Sequence, residues 1–301
     1  MVVACGGSGG GGGGAPDADV GFNRPKKSLK ANMETGSNQW SELGSADLSC
    51  LGTPGSDVAT TVDITVQTTV ADFQSGEANP GIAVTAFDGI DVGNEFGSAV
   101  TSDENGSAEI VIPMGHKRIG FKMHDPLAND PSSIAPFDTF LLNQYLDPTT
   151  TPQMLSENMG HIQSVSKSTG EALSATVGII RMSGTGVAAG ALRDCSHHEV
   201  SNFIVDLSST SGTATPIDGV ESFYFSDVVG LPAHHDQEDS ASKDGLFMLI
   251  QAPVTTSAFV QAWGYVSDAD LAANKLTLVS ELEVPVLADT VITGSFDPLR
   301  Q

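Results

Sequence analysis

The sequence predicts a mainly β protein built from two β-sandwiches. It contains 33 Gly and 15 Pro, and only 17% of its residues are charged, a composition that favours short strands joined by turns over long helices. Its 301 residues suit about two domains of ordinary size. Short segments of alternating apolar and polar residues occur in both halves of the chain, so we expect one sandwich in each half.

Residues 46–126 are predicted to form the first sandwich. Val62-Asp63-Ile64-Thr65-Val66 alternates apolar and polar side chains, as a half-buried strand does. Further short segments follow at close intervals, each bounded by Gly, Pro, Asn or Asp. The predicted strands are 62–66, 82–87, 108–112 and 118–121.

Residues 127–182 are predicted to form a helical connector. Their apolar residues recur at helical spacings in two groups, and Asp138 and Pro152 are placed to begin the two helices. The first group is Phe137, Phe140, Leu141, Leu142 and Tyr145; the second is Met154, Leu155, Met159, Ile162, Val165, Leu173 and Val177.

Residues 183–301 return to the strand pattern and are predicted to form the second sandwich. The predicted strands are 203–207, 222–225, 246–250, 259–265, 276–284 and 290–295.

The two sandwich regions repeat one scheme. Each has a polar turn that begins at an aspartate, Asp72 or Asp194, then a strand, then a tight turn that ends in glycine, Gly106 or Gly245, and then another strand. Strands and turns in this order are typical of a Greek-key sandwich.

The residues of this scheme resemble a known family. Residues 70–87 followed by 101–106 are similar to the carboxypeptidase regulatory-like domain, a prealbumin (transthyretin)-like sandwich. The second copy departs from the family by having His197-His198 where the family has Ser-Gly. The resemblance implies a module that contacts protein or carbohydrate and has no catalytic residues. The enzymatic branch of this fold, hydroxyisourate hydrolase, ends in Tyr-Arg-Gly-Ser, and this sequence lacks that ending.

The first residues resemble a bacterial lipobox. Val2-Val3-Ala4 precede Cys5, and the resemblance implies a covalent lipid on Cys5. The run Gly9–Gly14 favours a flexible coil, so residues 1–45 are interpreted as a lipobox remnant and a disordered tether. Because no signal peptide precedes Val2, we expect the start codon to lie upstream. The resemblance also implies that Gly6, in place of Asp after the cysteine, favours sorting to the outer membrane over retention in the inner membrane, so we expect the protein at the outer membrane or cell surface. The alternative is that Cys5 is an ordinary free thiol in a disordered tail.

The remaining cysteines support the same compartment. With Cys5 lipidated, Cys50 and Cys195 are left as one pair for a disulfide, a bond that persists outside the cytoplasm. The alternative is two buried thiols.

The charge balance excludes one class of partner. The chain has 13 Lys and Arg against 37 Asp and Glu, a net charge of −24, which repels nucleic acid. No run of about 18 apolar residues is present. Attachment to a membrane is therefore expected through the lipid.

Four of the seven histidines fall in two short segments of the second sandwich. His197 and His198 form one pair, and His234 and His235, followed by Asp236, form the other. Imidazole and carboxylate groups bind zinc, so these residues are a candidate metal site if the segments are neighbours. The alternative is that they are solvated loop histidines.

Taken together, these features predict a non-enzymatic surface lipoprotein with structural or adhesive modules that bind protein or carbohydrate. The alternative is an extracytoplasmic metal-binding protein or metallohydrolase that uses the histidine pairs.

Overall fold

The computed structural model describes residues 24–299, except 37–38, 54, 56, 74, 128–136, 156–160, 167–181 and 229. It confirms a mainly β protein, with nineteen strands and one short helix in those residues. The elements are β1 (Lys30–Gly36), β2 (Gln39–Ser45), β3 (Ile64–Asp72), β4 (Ala83–Asp88), β5 (Asp91–Thr101), β6 (Ser107–Ile112), β7 (Arg118–His124), β8 (Asp138–Tyr145), β9 (Gln153–Met154), β10 (His161–Ser164), β11 (Gly186–Leu192), β12 (Glu199–Ser201), β13 (Phe203–Ser208), β14 (Glu221–Phe225), β15 (Pro232–His234), β16 (Leu246–Ala252), β17 (Thr255–Gly264), α1 (Asp268–Ala272), β18 (Thr277–Val286) and β19 (Thr290–Phe296).

The repeat predicted from the sequence is present in the strand pairing. In the first copy β3 pairs antiparallel with β6, and β4 pairs with β7. In the second copy β11 pairs with β16, and β13 pairs with β17, in the same order and direction. Each copy therefore alternates its strands between two sheets, as a sandwich does.

Equivalent turns in the two copies accept the same backbone hydrogen bond from the first strand of each copy. The N–H of Val70 donates to Gly106 O at 2.8 Å, and the N–H of Leu192 donates to Gly245 O at 3.2 Å. Gly106 has φ +74°, and a Cβ there would lie 2.6 Å from Val70 O. Only glycine fits at that position, because the left-handed backbone and the close approach both exclude a side chain.

The two copies share one sheet. Nine strands pair in the order β15-β14-β16-β11-β19-β8-β7-β4-β5, and the junction is the parallel pairing of β19 with β8. This sheet contains β4 and β7 of the first copy and β11 and β16 of the second. The two sandwiches are therefore fused side by side.

Two smaller sheets cover opposite faces of the shared sheet. On β8, Leu141 packs in a cluster with residues of β3 and β6, whereas its neighbours Phe140 and Leu142 pack in a cluster with residues of β13 and β17. Successive side chains of a strand point to opposite faces. The sheet β10-β3-β6 and the sheet β13-β17-β18 therefore lie on different sides of the shared sheet.

The predicted helical connector is wrong where the structure describes it. Residues 138–145 form β8 in the middle of the shared sheet, and 153–154 and 161–164 form β9 and β10. A strand buried on both faces has a continuous apolar run, which periodicity does not separate from a helix. Met159, Leu173 and Val177 lie outside the described residues.

The predicted tether extends too far. Residues 1–23, with Cys5, lie outside the described residues, but 30–36 and 39–45 form the hairpin β1–β2, and β1 pairs with β12. Leu29 is fully buried, and its N–H donates to Tyr265 O at 2.9 Å. The polar composition was misleading because backbone hydrogen bonds, rather than apolar side chains, hold most of this hairpin.

Cys50 and Cys195, the pair expected for a disulfide, are bonded, with their Cα atoms 5.8 Å apart. The bond joins the segment after β2 to the turn after β11. Hydrogen bonds reinforce the junction, because the N–H of Cys195 donates to Asp47 O at 2.8 Å and the N–H of Asp47 donates to Asp194 Oδ2 at 2.9 Å.

Within the described residues, no helix has the length and apolar character needed to cross a bilayer.

Candidate functional site

The hairpin β14–β15 at one edge of the shared sheet places two candidate ligands on one face. Phe223 of β14 lies opposite His234 of β15. Glu221 is two residues before Phe223, so its side chain is a diagonal neighbour of His234. The N–H of His235 donates to Ser222 O at 3.1 Å. This hydrogen bond keeps the chain beside β14 for one residue beyond the end of β15.

The two imidazoles lie together against Glu221. His234 Nε2 is 2.9 Å from Glu221 Oε2, and His235 Nε2 is 3.9 Å from the same oxygen. The centroids of the two rings are 4.0 Å apart. Adjacent histidines on a regular strand would point to opposite faces, but β15 ends at His234 and the chain turns there, with the N–H of Gln237 donating to His234 O at 2.8 Å.

Asp236 lies on the other side of both rings. Its Oδ2 is 3.2 Å from His234 Nδ1, and its Oδ1 is 3.5 Å from His235 Nδ1. Burial, followed by the neighbouring His234, lowers the pKa of His235. The neutral imidazole, which is the form that binds metals, is therefore favoured at His235.

The structure does not bring the other histidine pair into this cluster. His197 and His198 lie in the turn after β11, where the N–H of His198 donates to Asp194 Oδ1 at 2.9 Å and His198 Nδ1 is 3.6 Å from that oxygen. In the described part of the chain, the group whose ligand atoms all lie within 4.8 Å of one another is Glu221, His234 and His235. Glu221 was missed by the sequence reasoning because it is 13 residues from His234, and only strand pairing brings it near.

A separate cavity of about 280 Å³ opens on the shared sheet. Its described lining includes residues of β8, β10, β11, β12, β14, β16 and β19, and Trp40 and Glu34 of the hairpin β1–β2 border it. Leu141 lines the cavity and also packs under the sheet β10-β3-β6. The cavity therefore lies on the face that this sheet covers, beside its edge strand β10.

Charged side chains stand at the cavity among apolar ones. Arg193 Nε is 3.4 Å from Glu199 Oε1, and Glu34, Asp244 and Asp297 contribute further carboxylates. Asp244 is buried, and burial raises its pKa to about 7. A concave, mainly apolar surface with a few convergent polar groups is typical of a site for a small ligand. No local motif in the sequence marks this set, because its members come from distant strands.

Asp244 is expected to make the protein less stable as the pH rises from about 4 to about 7. The unfolded carboxyl titrates near its ordinary pKa of 3.8, whereas burial raises the folded pKa to about 7. Between these values the folded protein retains a proton that the unfolded chain has released, so the free energy of unfolding falls as the pH rises.

The variant Asp244→Asn tests this titration. The amide keeps an oxygen for the Leu246 N–H, which donates to Asp244 Oδ1 at 3.0 Å, but it does not titrate in this range. Urea unfolding of both proteins across this pH range should show a shallower decline for the variant. Parallel declines would contradict the assignment.

Comparison with known proteins gives only distant likenesses. No protein-family model matches the chain, and no curated protein matches it. Among solved structures, the shaft pilin SpaA from Lactobacillus rhamnosus GG is 9% identical, with 80% of this chain and 98% of that chain covered and a TM-score of 0.21. The Bacillus anthracis TIE protein is 11% identical, with 78% and 33% covered and a TM-score of 0.23. A streptococcal ancillary pilin is 12% identical, with 79% and 63% covered and a TM-score of 0.22. Likenesses at these TM-scores support no inference about the present chain.

Proposed function

We propose that this chain is a non-enzymatic, lipid-anchored protein of the outer membrane or cell surface, whose β-sandwiches form an adhesive module for a neutral carbohydrate. The observation that carries the proposal is the cavity on the shared sheet, where Trp40 borders a group of carboxylates. The lipid on Cys5 is the anchor in this proposal.

The location is supported by the disulfide between Cys50 and Cys195. Such bonds form and persist in oxidising compartments and are rare in the cytosol, where thiols are kept reduced. The net charge of −24 is also suited to a soluble surface that does not bind nucleic acid.

The chemistry of the cavity favours a neutral sugar among the ligands that a surface module binds. Hydroxyl groups of a sugar donate hydrogen bonds, and the carboxylates of Glu34, Glu199 and Asp297 accept them. The apolar face of a sugar ring packs on an indole such as that of Trp40. An acidic glycan would be repelled, because these carboxylates outnumber Arg193. The cavity volume of about 280 Å³ is near the lower end of the range for small-ligand sites, which begins at roughly 300 Å³.

A glycan array followed by calorimetry tests this assignment. We expect the full chain to bind a neutral oligosaccharide, and Trp40→Ala to weaken that binding by about fivefold or more, since a packed aromatic contact is worth about 1 kcal/mol or more. Met33→Ala is the matched control, because Met33 lies on the neighbouring strand and does not line the cavity. Absence of binding to every neutral glycan would refute the ligand class, and shortening of the bound oligosaccharide would refute the non-enzymatic assignment.

Mass spectrometry of the N-terminal peptide from the native host tests the anchor. We expect Cys5 to be the first residue and to carry acyl chains. An unmodified Cys5 that remains within a longer N-terminal segment would refute the lipid attachment.

A further inference from the structure

We propose that Glu221, His234 and His235 bind one zinc ion, and that the carboxylate of Asp236 orients the two imidazoles through their Nδ1 atoms. This site is separate from the proposed carbohydrate site, because none of these four residues lines the cavity. The failure of either proposal therefore leaves the other standing.

The spacing of the three ligands suits a zinc ion. In a tetrahedral zinc site with bonds of about 2.0–2.1 Å, ligand atoms lie about 3.3 Å from one another. The two Nε2 atoms are 2.9 Å and 3.9 Å from Glu221 Oε2, on either side of that value, and one ligand atom from each residue lies within 4.8 Å of the others. Three protein ligands leave the fourth position of the ion for water.

The two nitrogens of each ring face different carboxylates. Both Nε2 atoms lie toward Glu221, and both Nδ1 atoms lie toward Asp236. Metal-binding histidines commonly donate the hydrogen of their other nitrogen to a carboxylate, which sets the orientation of the ring and increases its affinity for the metal. Asp236 is placed to accept from both rings at once.

Zinc binding would change the tautomer of His234. The N–H of Asp236 donates to His234 Nδ1 at 3.3 Å, so the hydrogen of a neutral His234 is on Nε2, where it is donated to Glu221. An ion that binds Nε2 displaces this hydrogen. The ring then carries its one hydrogen on Nδ1 and donates it to the Asp236 carboxylate, so His234 stays neutral and no net proton is released.

The cluster is held by regular structure. Glu221 is held by the pairing of β14 with β16, and His234 by the pairing of β15 with β14. The ring of Phe223 packs against His234 with centroids 5.2 Å apart. The side chains of His234 and His235 are 19% and 20% exposed. The ligands are thus positioned in advance and open enough for an ion to enter. Imidazole and carboxylate together suit zinc and its first-row neighbours rather than calcium or magnesium.

Titration calorimetry with zinc chloride on the chelator-treated full chain tests the proposal. We expect one ion per chain and a higher unfolding temperature in the presence of zinc. The double variant H234A/H235A should lose saturable binding, and Asp236→Asn should weaken it by about 10–100-fold. The matched control is H197A/H198A, which removes as many histidines from the turn after β11 and should bind as the wild type does.

Cobalt substitution gives a second readout that does not depend on stability. Co²⁺ in a tetrahedral site with imidazole ligands has a visible absorption band, which should be present in the wild type and in H197A/H198A and absent from Glu221→Gln, a variant of unchanged shape. Circular dichroism establishes that each variant is folded. If H234A/H235A does not fold, the loss of metal binding in Glu221→Gln and its weakening in Asp236→Asn test the proposal instead. The proposal is overturned if the wild type binds no stoichiometric zinc, or if H197A/H198A weakens binding as much as H234A/H235A does.

Discussion

The double substitution Cys50→Ala and Cys195→Ala is expected to lower the free energy of unfolding by about 4–5 kcal/mol, as the chain-entropy model gives for a closed loop of more than 100 residues. The two cysteines are 145 residues apart, so their bond excludes a large fraction of the conformations of the unfolded chain. Urea unfolding of the oxidised wild type and the double variant measures the difference.

Reduction of the wild type provides the control for the disulfide. With a reducing agent present, the wild type should unfold at nearly the same urea concentration as the double variant, while the variant itself should not respond. If the oxidised wild type and the variant unfold within about 1 kcal/mol of each other, well below the usual 2–4 kcal/mol, the bond does not constrain the unfolded chain as expected.

The substitution Leu29→Ala is expected to lower the free energy of unfolding by about 3 kcal/mol, within the range of 2–5 kcal/mol for buried leucines. Leu29 is 0% exposed and belongs to the same apolar cluster as residues of β13 and β17. Its side chain lies against Gly264, where a Cβ would be 2.5 Å from Leu29 Cδ2. A cavity would remain, because the backbone of β17 is held by its partners on both sides.

Leu43→Ala is the matched control for Leu29→Ala. Leu43 is in the same hairpin region and is 47% exposed, so its replacement should change the free energy of unfolding by no more than about 0.5 kcal/mol. Chemical denaturation of the two variants distinguishes a segment that is part of the core from a tether. Equal and small effects would mean that residues 24–45 do not stabilise the body of the protein.

The fusion of the two sandwiches is the main feature that the sequence did not predict. The pairing of β19 with β8 joins Thr290 to Asp138 and continues to Gly294 and Leu142. These residues are about 150 positions apart, and no turn connects them. Which strand edges meet in this parallel pairing is a property of the assembled sheets, and no local pattern in the sequence encodes it.

The candidate zinc ligands also separate what the local sequence indicates from what strand pairing decides. His234, His235 and Asp236 could be selected from the sequence because they are consecutive and of the residue types that bind metals. Glu221 could not, because its place depends on the register that sets Phe223 opposite His234. His197 and His198 could share this site only if their segment lay beside the other pair, and the sequence does not decide that; in the structure Asp194 contacts His198 within the turn after β11.

By itself, the sequence determined β3, β4, β6 and β7 of the first copy and β13, β14 and β16–β19 of the second, but not β5 or β11. These features depend on residues close together in the chain: alternating apolar side chains, an aspartate at the start of a turn, and glycine at Gly106 and Gly245, where other residues do not fit. The tertiary structure alone decided that residues 138–145 are a strand, that the hairpin β1–β2 is part of the body, and that one sheet serves both sandwiches. Each of these outcomes depends on backbone hydrogen bonds and apolar contacts with distant segments, and local patterns do not encode which segments meet.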